Sequence, residues 1–309
     1  MKNAAIIGAG FVGASIAYAL TINSDDRRVT LIDTDTEKAH GEALDINHGL
    51  SQLGNSFAAA GDYSDTKNSD ALIICAGKGR AAGQSRLDLV RENILIMNSV
   101  TDSLKPYYNG CPVIIISNPN DIMTLHAQRR LGAKRGKVFG SGCILDTSRL
   151  IRCCAQYTGA GTGEISGYVI GEHGDGQVTV WSSVKVCKKT IGEYCRSSGL
   201  EWNEEVRRKL SAQVRTMGAD IIKRKGKTQY GIATCTLALT RAILGEGDIT
   251  APVTTGVYGQ YGLSDVSVSL PCVIGRGGVS KILEIPLTDD ELAALKLSAE
   301  GLKGVYKTV

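Results

Sequence analysis

Residues 4–33, AAIIGAGFVGASIAYALTINSDDRRVTLID, restrict the fold more than any other stretch of the chain. An apolar run stops at Gly8-Ala9-Gly10-Phe11-Val12-Gly13, apolar residues then recur at helical spacing, and a second apolar run ends on Asp33. Strand, glycine turn, helix and strand in that order make a βαβ unit, with parallel strands and a right-handed crossover.

The same rhythm continues. "DALIICAG", "CPVIIISNP" and "KVFGSG" are short apolar runs of strand type, and "DTEKAHGEALDINHGL" and "SRLDLVRENILIMNSVTDSLKPY" between them have helical periodicity. Near residue 142 it changes to "GYVIGEHG", "QVTVWSSVKV", "SVSLPCVIG" and "GVSKILEI", mixed with long helices. The chain closes on a helix announced by a capping box, Thr288 and Glu291, with Leu292, Leu295, Ala299 and Leu302 on one face. The expectation is an α/β protein: a Rossmann doubly wound parallel sheet over 1–142, then an α+β substrate-binding domain with antiparallel sheet over 143–309.

In this context the glycines have separate tasks. Gly8 permits the tight turn, Gly10 lets the backbone approach a pyrophosphate, and Gly13 allows the helix to pack on the strand, with Phe11 and Val12 opening the helix. Its N-terminus attracts phosphate charge. Asp33, at the end of the second strand, would accept hydrogen bonds from ribose hydroxyls and repel a 2′-phosphate, so the expected cofactor is NAD.

Composition excludes several classes. A net charge of +4, spread without long runs, gives no reason to expect nucleic acid. No stretch of eighteen apolar residues exists to cross a membrane, and the first apolar run starts at once, without a leader pattern. Nine cysteines, an odd number with no C-x-x-C and several within apolar runs, predict reduced thiols in a cytoplasm and no metal site.

Four histidines compete for the role of acid–base. His40 stands in a polar helical stretch, His48 at a helix end, and His126 within a helix as a packed structural residue. His173 lies between glycines in "GYVIGEHGDG", at the end of an apolar strand, where a side chain can point into a cleft. Histidine titrates near neutrality but needs a carboxylate to hold its tautomer. Asp146 in "GSGCILDTSRL" is the candidate, with Arg149 three residues on along the same helix face.

Taken in order, "GAGFVG", "LID", "SNPNDI", "GSGCILDTSRL", "GEHGD" and "KGKTQYGIA" span the chain, and the sequence resembles the NAD-dependent L-lactate/L-malate dehydrogenase family. The resemblance implies hydride transfer between NADH and a small 2-oxo acid. It makes His173 the proton donor, Asp146 its partner and Arg149 the grip on the substrate carboxylate. Asn118 would hydrogen-bond near nicotinamide and substrate, and Thr228 would line the pocket opposite. The loop "AGKGRAAGQSRLDL" (76–89) would close over the substrate, Arg86 polarising the carbonyl. Homodimers or homotetramers are implied as well.

Arg80 matches the position facing the variable end of the substrate, where lactate enzymes typically carry glutamine and malate enzymes arginine. An arginine folded over a methyl group would bury an unpaired charge, which favours oxaloacetate. "SRLDLV", "VWSSV" and the threonine of "KGKTQYG" look like the lactate branch. The expectation is an L-lactate dehydrogenase whose Arg80 widens activity toward oxaloacetate, with malate dehydrogenase as the alternative. Ile151 and Ser166 replace the arginine and histidine of family members activated by fructose 1,6-bisphosphate, although Arg152 is adjacent, so no activation is expected. Two remoter readings are a non-catalytic relative and an NAD-dependent glycoside hydrolase. The latter needs a metal held by cysteine and histidine, and the filled Asp146, Arg149 and His173 positions oppose both.

Overall fold

A computed structural model describes residues 1–24, 26–79 and 85–309, apart from the side chain of Arg86. Arg80, expected to face the variable end of the substrate, therefore lies outside the described residues.

The first half alternates strand and helix: β1 (Lys2–Ile7), α1 (Phe11–Ile22), β2 (Arg27–Ile32), α2 (Thr36–Leu50), β3 (Phe57–Ala60), β4 (Ala71–Ile74), α3 (Arg86–Leu104), β5 (Val113–Ile115), α4 (Asn120–Leu131) and β6 (Val138–Gly140). The second half holds α5 (Ile144–Thr158), β7 (Ile165–Gly171), β8 (Gln177–Val186), β9 (Lys189–Thr190), α6 (Ile191–Ser197), α7 (Glu204–Lys225) and α8 (Tyr230–Ile243). It ends with β10 (Ile249–Tyr258), β11 (Ser264–Gly275), β12 (Gly278–Ile282) and α9 (Asp289–Tyr306).

Six strands pair in parallel in the order β3-β2-β1-β4-β5-β6, and the later strands are antiparallel, β10-β11-β7-β8-β9 with β12 on β11. The two sets meet where Gly140 of β6 faces Thr254 of β10. Alternate residues of β1 serve two cores: Ala5 and Ile7 pack toward α3 and α4, Ala4 and Ile6 toward α1 and α2. Burying one such isoleucine contributes about 1.5–3 kcal/mol, so both faces of the sheet must be covered by helices. A third core lies under α5 and α7, where Cys143, Cys153, Cys154 and Cys195 pack as small apolar groups. All nine cysteines are unpaired.

Local chemistry sets the helix ends. Asp35 caps α2 by accepting from the Lys38 amide, and Asn203 caps α7 through Val206. Thr288 and Glu291 form the reciprocal box that starts α9. Gly132 and Gly159 close α4 and α5 in the left-handed conformation.

Besides the two-residue β9, two strands have no counterpart among the expected runs. β3 is the alanine-rich FAAA, and β10 carries a proline and four threonines or glycines in ten residues. β10 is nonetheless buried from Ala251 to Val257. Its Pro252 faces Pro271 of β11, so both missing donors fall at one step of the ladder. Among the described residues no helix is long and apolar enough to cross a membrane, and no group of three or more His, Cys, Asp or Glu could hold a metal.

Candidate active site

The three glycines of the first turn differ in their surroundings. Gly8 has φ +105°, and a Cβ there would fall 2.7 Å from the Ala76 amide nitrogen. A Cβ on Gly13 would fall 1.9 Å from the Gly8 carbonyl oxygen, so only glycine lets α1 lie this close to β1. A Cβ on Gly10 would meet nothing within 4 Å. The first turn of α1 contains no acidic residue and no side-chain cap. Its free amides and the open space beside Gly10 fit a pyrophosphate. Asp33 is tied into the same turn: one carboxylate oxygen accepts from the Ala9 amide at 2.6 Å, the other from Asp35 at 3.0 Å and from the Thr34 hydroxyl at 3.3 Å. Phe11 stands exposed at the start of α1, and Val12 is half-buried.

Elsewhere in the fold, α5 and the β7–β8 connection bring His173, Asp146 and Arg149 together. His173 Nδ1 lies 2.6 Å from Asp146 Oδ2, and Arg149 Nη1 donates to Asp146 Oδ1 at 2.9 Å. An ionised carboxylate only accepts, so Nδ1 carries the N–H and Nε2 is left to exchange a proton. The Arg149 guanidinium runs along α7, where a Cβ on Gly218 would sit 3.2 Å from its Nη2. Burial opposes ionisation of Asp146, but His173 and then Arg149 outweigh it and hold the carboxyl below its ordinary value. Burial likewise opposes a charged His173. Asp146 overcomes this, with help from Asp121, and the imidazole is raised above its ordinary value.

Asp121 belongs to this site and was not among the residues singled out from sequence. It is 2% exposed. One of its oxygens accepts the His173 backbone N–H at 2.8 Å, and the other accepts the Thr254 hydroxyl at 2.6 Å. Thr254 shares a 2.9 Å hydrogen bond with Ser269, which in turn accepts from the Cys143 amide at 3.1 Å. Burial, only partly offset by the Thr254 and His173 bonds, raises the Asp121 carboxyl. An aspartate directly after "SNPN" and before an apolar helix resembles an ordinary first-turn acid, so its burial had no signal in the sequence.

The remaining expected residues lie on other elements. Asn118 is exposed between β5 and α4, and its carbonyl accepts from Asn93 at 2.7 Å. Asn93, buried on α3, also exchanges two hydrogen bonds with the backbone of Lys78, at 2.8 and 3.0 Å. It thereby joins the stem of the 76–89 loop to the Asn118 turn. The available signal was a polar residue on the apolar face of "RENILI". Arg86 opens α3 behind its Ser85 cap; its side chain, like Arg80, lies outside the described residues. Thr228 is half-buried in the link between α7 and α8. His40 and His48 are exposed, and His126 packs within α4, 2.7 Å from Asn98 Oδ1 and 3.3 Å from the Tyr306 hydroxyl.

With this geometry in place, comparison with known proteins is informative over the whole chain. Residues 2–140 match the family model of the lactate/malate dehydrogenase NAD-binding domain, and residues 143–309 match that of the lactate/malate dehydrogenase α/β C-terminal domain. The chain is 37% identical over 307 residues to an L-lactate dehydrogenase of Thermoanaerobacter pseudethanolicus, covering 99% of each chain. It is 33% identical to that of Acetivibrio thermocellus, covering 100% of this chain and 98% of the relative. Among solved structures, the minor L-lactate dehydrogenase of Enterococcus mundtii superimposes with a TM-score of 0.94 at 33% identity, over 100% of this chain and 98% of that one. An L-lactate dehydrogenase of Clostridium thermocellum gives 0.87 at 38% identity, over 100% and 99%.

Proposed function

The chain belongs to the lactate/malate dehydrogenase family, and we propose that the His173–Asp146–Arg149 set is where its substrate reacts. The protein is an NAD-dependent L-2-hydroxyacid dehydrogenase of the lactate dehydrogenase kind, and its substrate is a small acid. The nicotinamide ring, when bound, supplies or accepts the hydride.

Each residue contributes a separate interaction. His173 Nε2 gives a proton to the substrate oxygen in reduction and takes it back in oxidation. Asp146 fixes the tautomer and stabilises the imidazolium. Arg149 pairs with the substrate carboxylate through the donors that Asp146 leaves free, a task suited to a planar guanidinium. Arg86 stabilises negative charge on the carbonyl oxygen as the 76–89 loop closes and expels water. Asn118 hydrogen-bonds near the nicotinamide and the substrate oxygen, Thr228 lines the pocket opposite, and Arg80, outside the described residues, is assigned to the variable end of the substrate. Gly8, Gly10, Phe11, Val12, Gly13 and Asp33 hold the dinucleotide. On this division residues 1–142 form the NAD-binding domain, which lends Arg80, Arg86 and Asn118 to the substrate, and 143–309 form the catalytic and substrate domain.

The observation that carries the reading is the shared Asp146 carboxylate, one oxygen on a histidine and the other on an arginine. NADH oxidation with pyruvate and with oxaloacetate tests it. We expect pyruvate to give the higher kcat/KM, with measurable oxaloacetate activity that Arg80→Gln reduces. Dominance of oxaloacetate that Arg80→Gln reverses would make the enzyme a malate dehydrogenase on a lactate-type frame.

Assembly and compartment follow by the same reasoning. Tyr18 and Ile22 on α1 and Tyr230 on α8, all exposed, line one groove with Ile46 of α2 and Leu237 of α8. A homodimer or homotetramer would cover it. Nine unpaired thiols suit the reducing cytoplasm.

A further inference from the structure

Lys227 sits in the link between α7 and α8, one residue before Thr228, and its side chain crosses to the opposite half of the chain. Its Nζ lies 3.7 Å from the centroid of the Phe11 ring. Phe11 is the first residue of α1 and the neighbour of Gly10, beside which the space is open. The phenyl ring is 55% exposed, so the ammonium resting on it stays in contact with water. A contact of that kind is worth about 0.5–1 kcal/mol, little enough for the lysine to exchange the ring for an anion. The neighbouring cation is engaged elsewhere: Lys225 Nζ lies 4.2 Å from the Tyr230 ring. No acidic residue in the first turn of α1 competes for Lys227.

We propose that Lys227 is a cofactor-binding residue: parked on Phe11, it supplies a positive charge to the dinucleotide pyrophosphate at the glycine turn. This rests on the reading of that turn as the NAD site. The backbone amides of α1 offer partial charges, and a mobile ammonium adds a full one. Because Lys227 and Thr228 are adjacent, the link between α7 and α8 presents a cofactor contact and a substrate contact from consecutive residues. The charge acts on phosphate and not on the reacting carbon, so it governs cofactor affinity.

The test is direct binding, by calorimetry or nicotinamide fluorescence, of NADH, ADP-ribose and adenosine to the native chain, Lys227→Ala and Lys227→Arg. For Lys227→Ala we expect Kd to rise about five- to tenfold for NADH and ADP-ribose at low salt, the size expected for one partly screened charge contact. The difference should shrink toward about 0.5 M salt. Adenosine, which lacks phosphate, should bind the two alike, and Lys227→Arg should keep the native affinity. Equal NADH binding by native and Lys227→Ala protein would overturn the proposal. Tighter binding by Lys227→Ala would overturn it too, making the lysine a bar across the cleft. Failure of the native chain to bind either NADH or ADP-ribose would reject the NAD-site reading, and the proposal with it.

Discussion

Thr254 donates its hydroxyl to Asp121 across 133 residues of sequence, and the opposite oxygen of that carboxylate holds the backbone N–H of His173. A strand of the antiparallel half thus steadies the residue expected to move the proton, through a carboxylate on a helix of the parallel half. Thr254→Val keeps the shape and removes the donor. We expect a loss of about 1–3 kcal/mol, the cost of leaving a buried acceptor short of a partner, read by urea denaturation. A native-like midpoint would mean that the bond contributes nothing net.

His173→Gln tests the proton transfer itself. Pyruvate reduction should fall about a thousandfold in kcat/KM, with NADH affinity unchanged. A loss of NADH binding in parallel would point to collapse of the cleft instead.

The raised His173 value has a defined sign. Reduction needs the imidazolium, so kcat/KM for pyruvate should be high at low pH and decline as pH rises through a value above the ordinary 6.5. Asp146→Asn removes the carboxylate that holds the proton on, so the decline should move to lower pH, on a lower plateau. Stability is linked to the same shifts. The His173 contribution is complete below the unfolded value of 6.5 and is lost as pH rises through the folded one. The Asp146 contribution is present above the unfolded value of 3.8 and is lost as pH falls through its depressed folded value. A pH–rate profile that Asp146→Asn leaves in place would refute the coupling.

Arg27 on β2 is completely buried and pairs with Glu246 at 2.5 Å, while its Nη1 donates to the Leu20 carbonyl at 2.9 Å. Burial lowers the Arg27 value and Glu246 opposes that shift. Glu246→Gln should cost about 3 kcal/mol, because it leaves an uncompensated charge inside the protein. Adding Arg27→Met should restore part of that loss. If the double variant is as unstable as the single one, the cost comes from packing and not from the orphaned charge.

Fructose 1,6-bisphosphate should leave the half-saturating pyruvate concentration unchanged. Ile151 is half-buried on α5, and Ser166 on β7 is exposed; neither side chain brings a positive charge to phosphate. A clear drop in that concentration on adding the sugar phosphate would refute this.

Much of the site was legible because its signals are local. Gly8, Gly10, Gly13 and Asp33 fall within one strand–helix–strand unit, and their spacing alone implies their proximity. Asp146 and Arg149 are one helical turn apart, so a shared face follows from periodicity. His173 stood out by elimination among four. Asp121, Asn93 and Thr254 carried no comparable signal, because the partners of each lie on other elements. β10 was hidden by its proline, which counts against a central strand until Pro271 is found opposite.

The sequence alone determined the alternation that makes the parallel sheet, the glycine turn that opens α1, and the residue types at the reacting positions. These depend on contacts within a few residues, where backbone geometry leaves little choice. Only the tertiary structure decided that Asp146 reaches His173 over 27 residues, that Asp121 stands behind the histidine, and that Lys227 lies on Phe11. Those contacts arise from how α5 packs on β7, how α4 packs on β10 and β11, and where the link after α7 meets the start of α1, and packing between distant segments leaves no period in the chain that forms it.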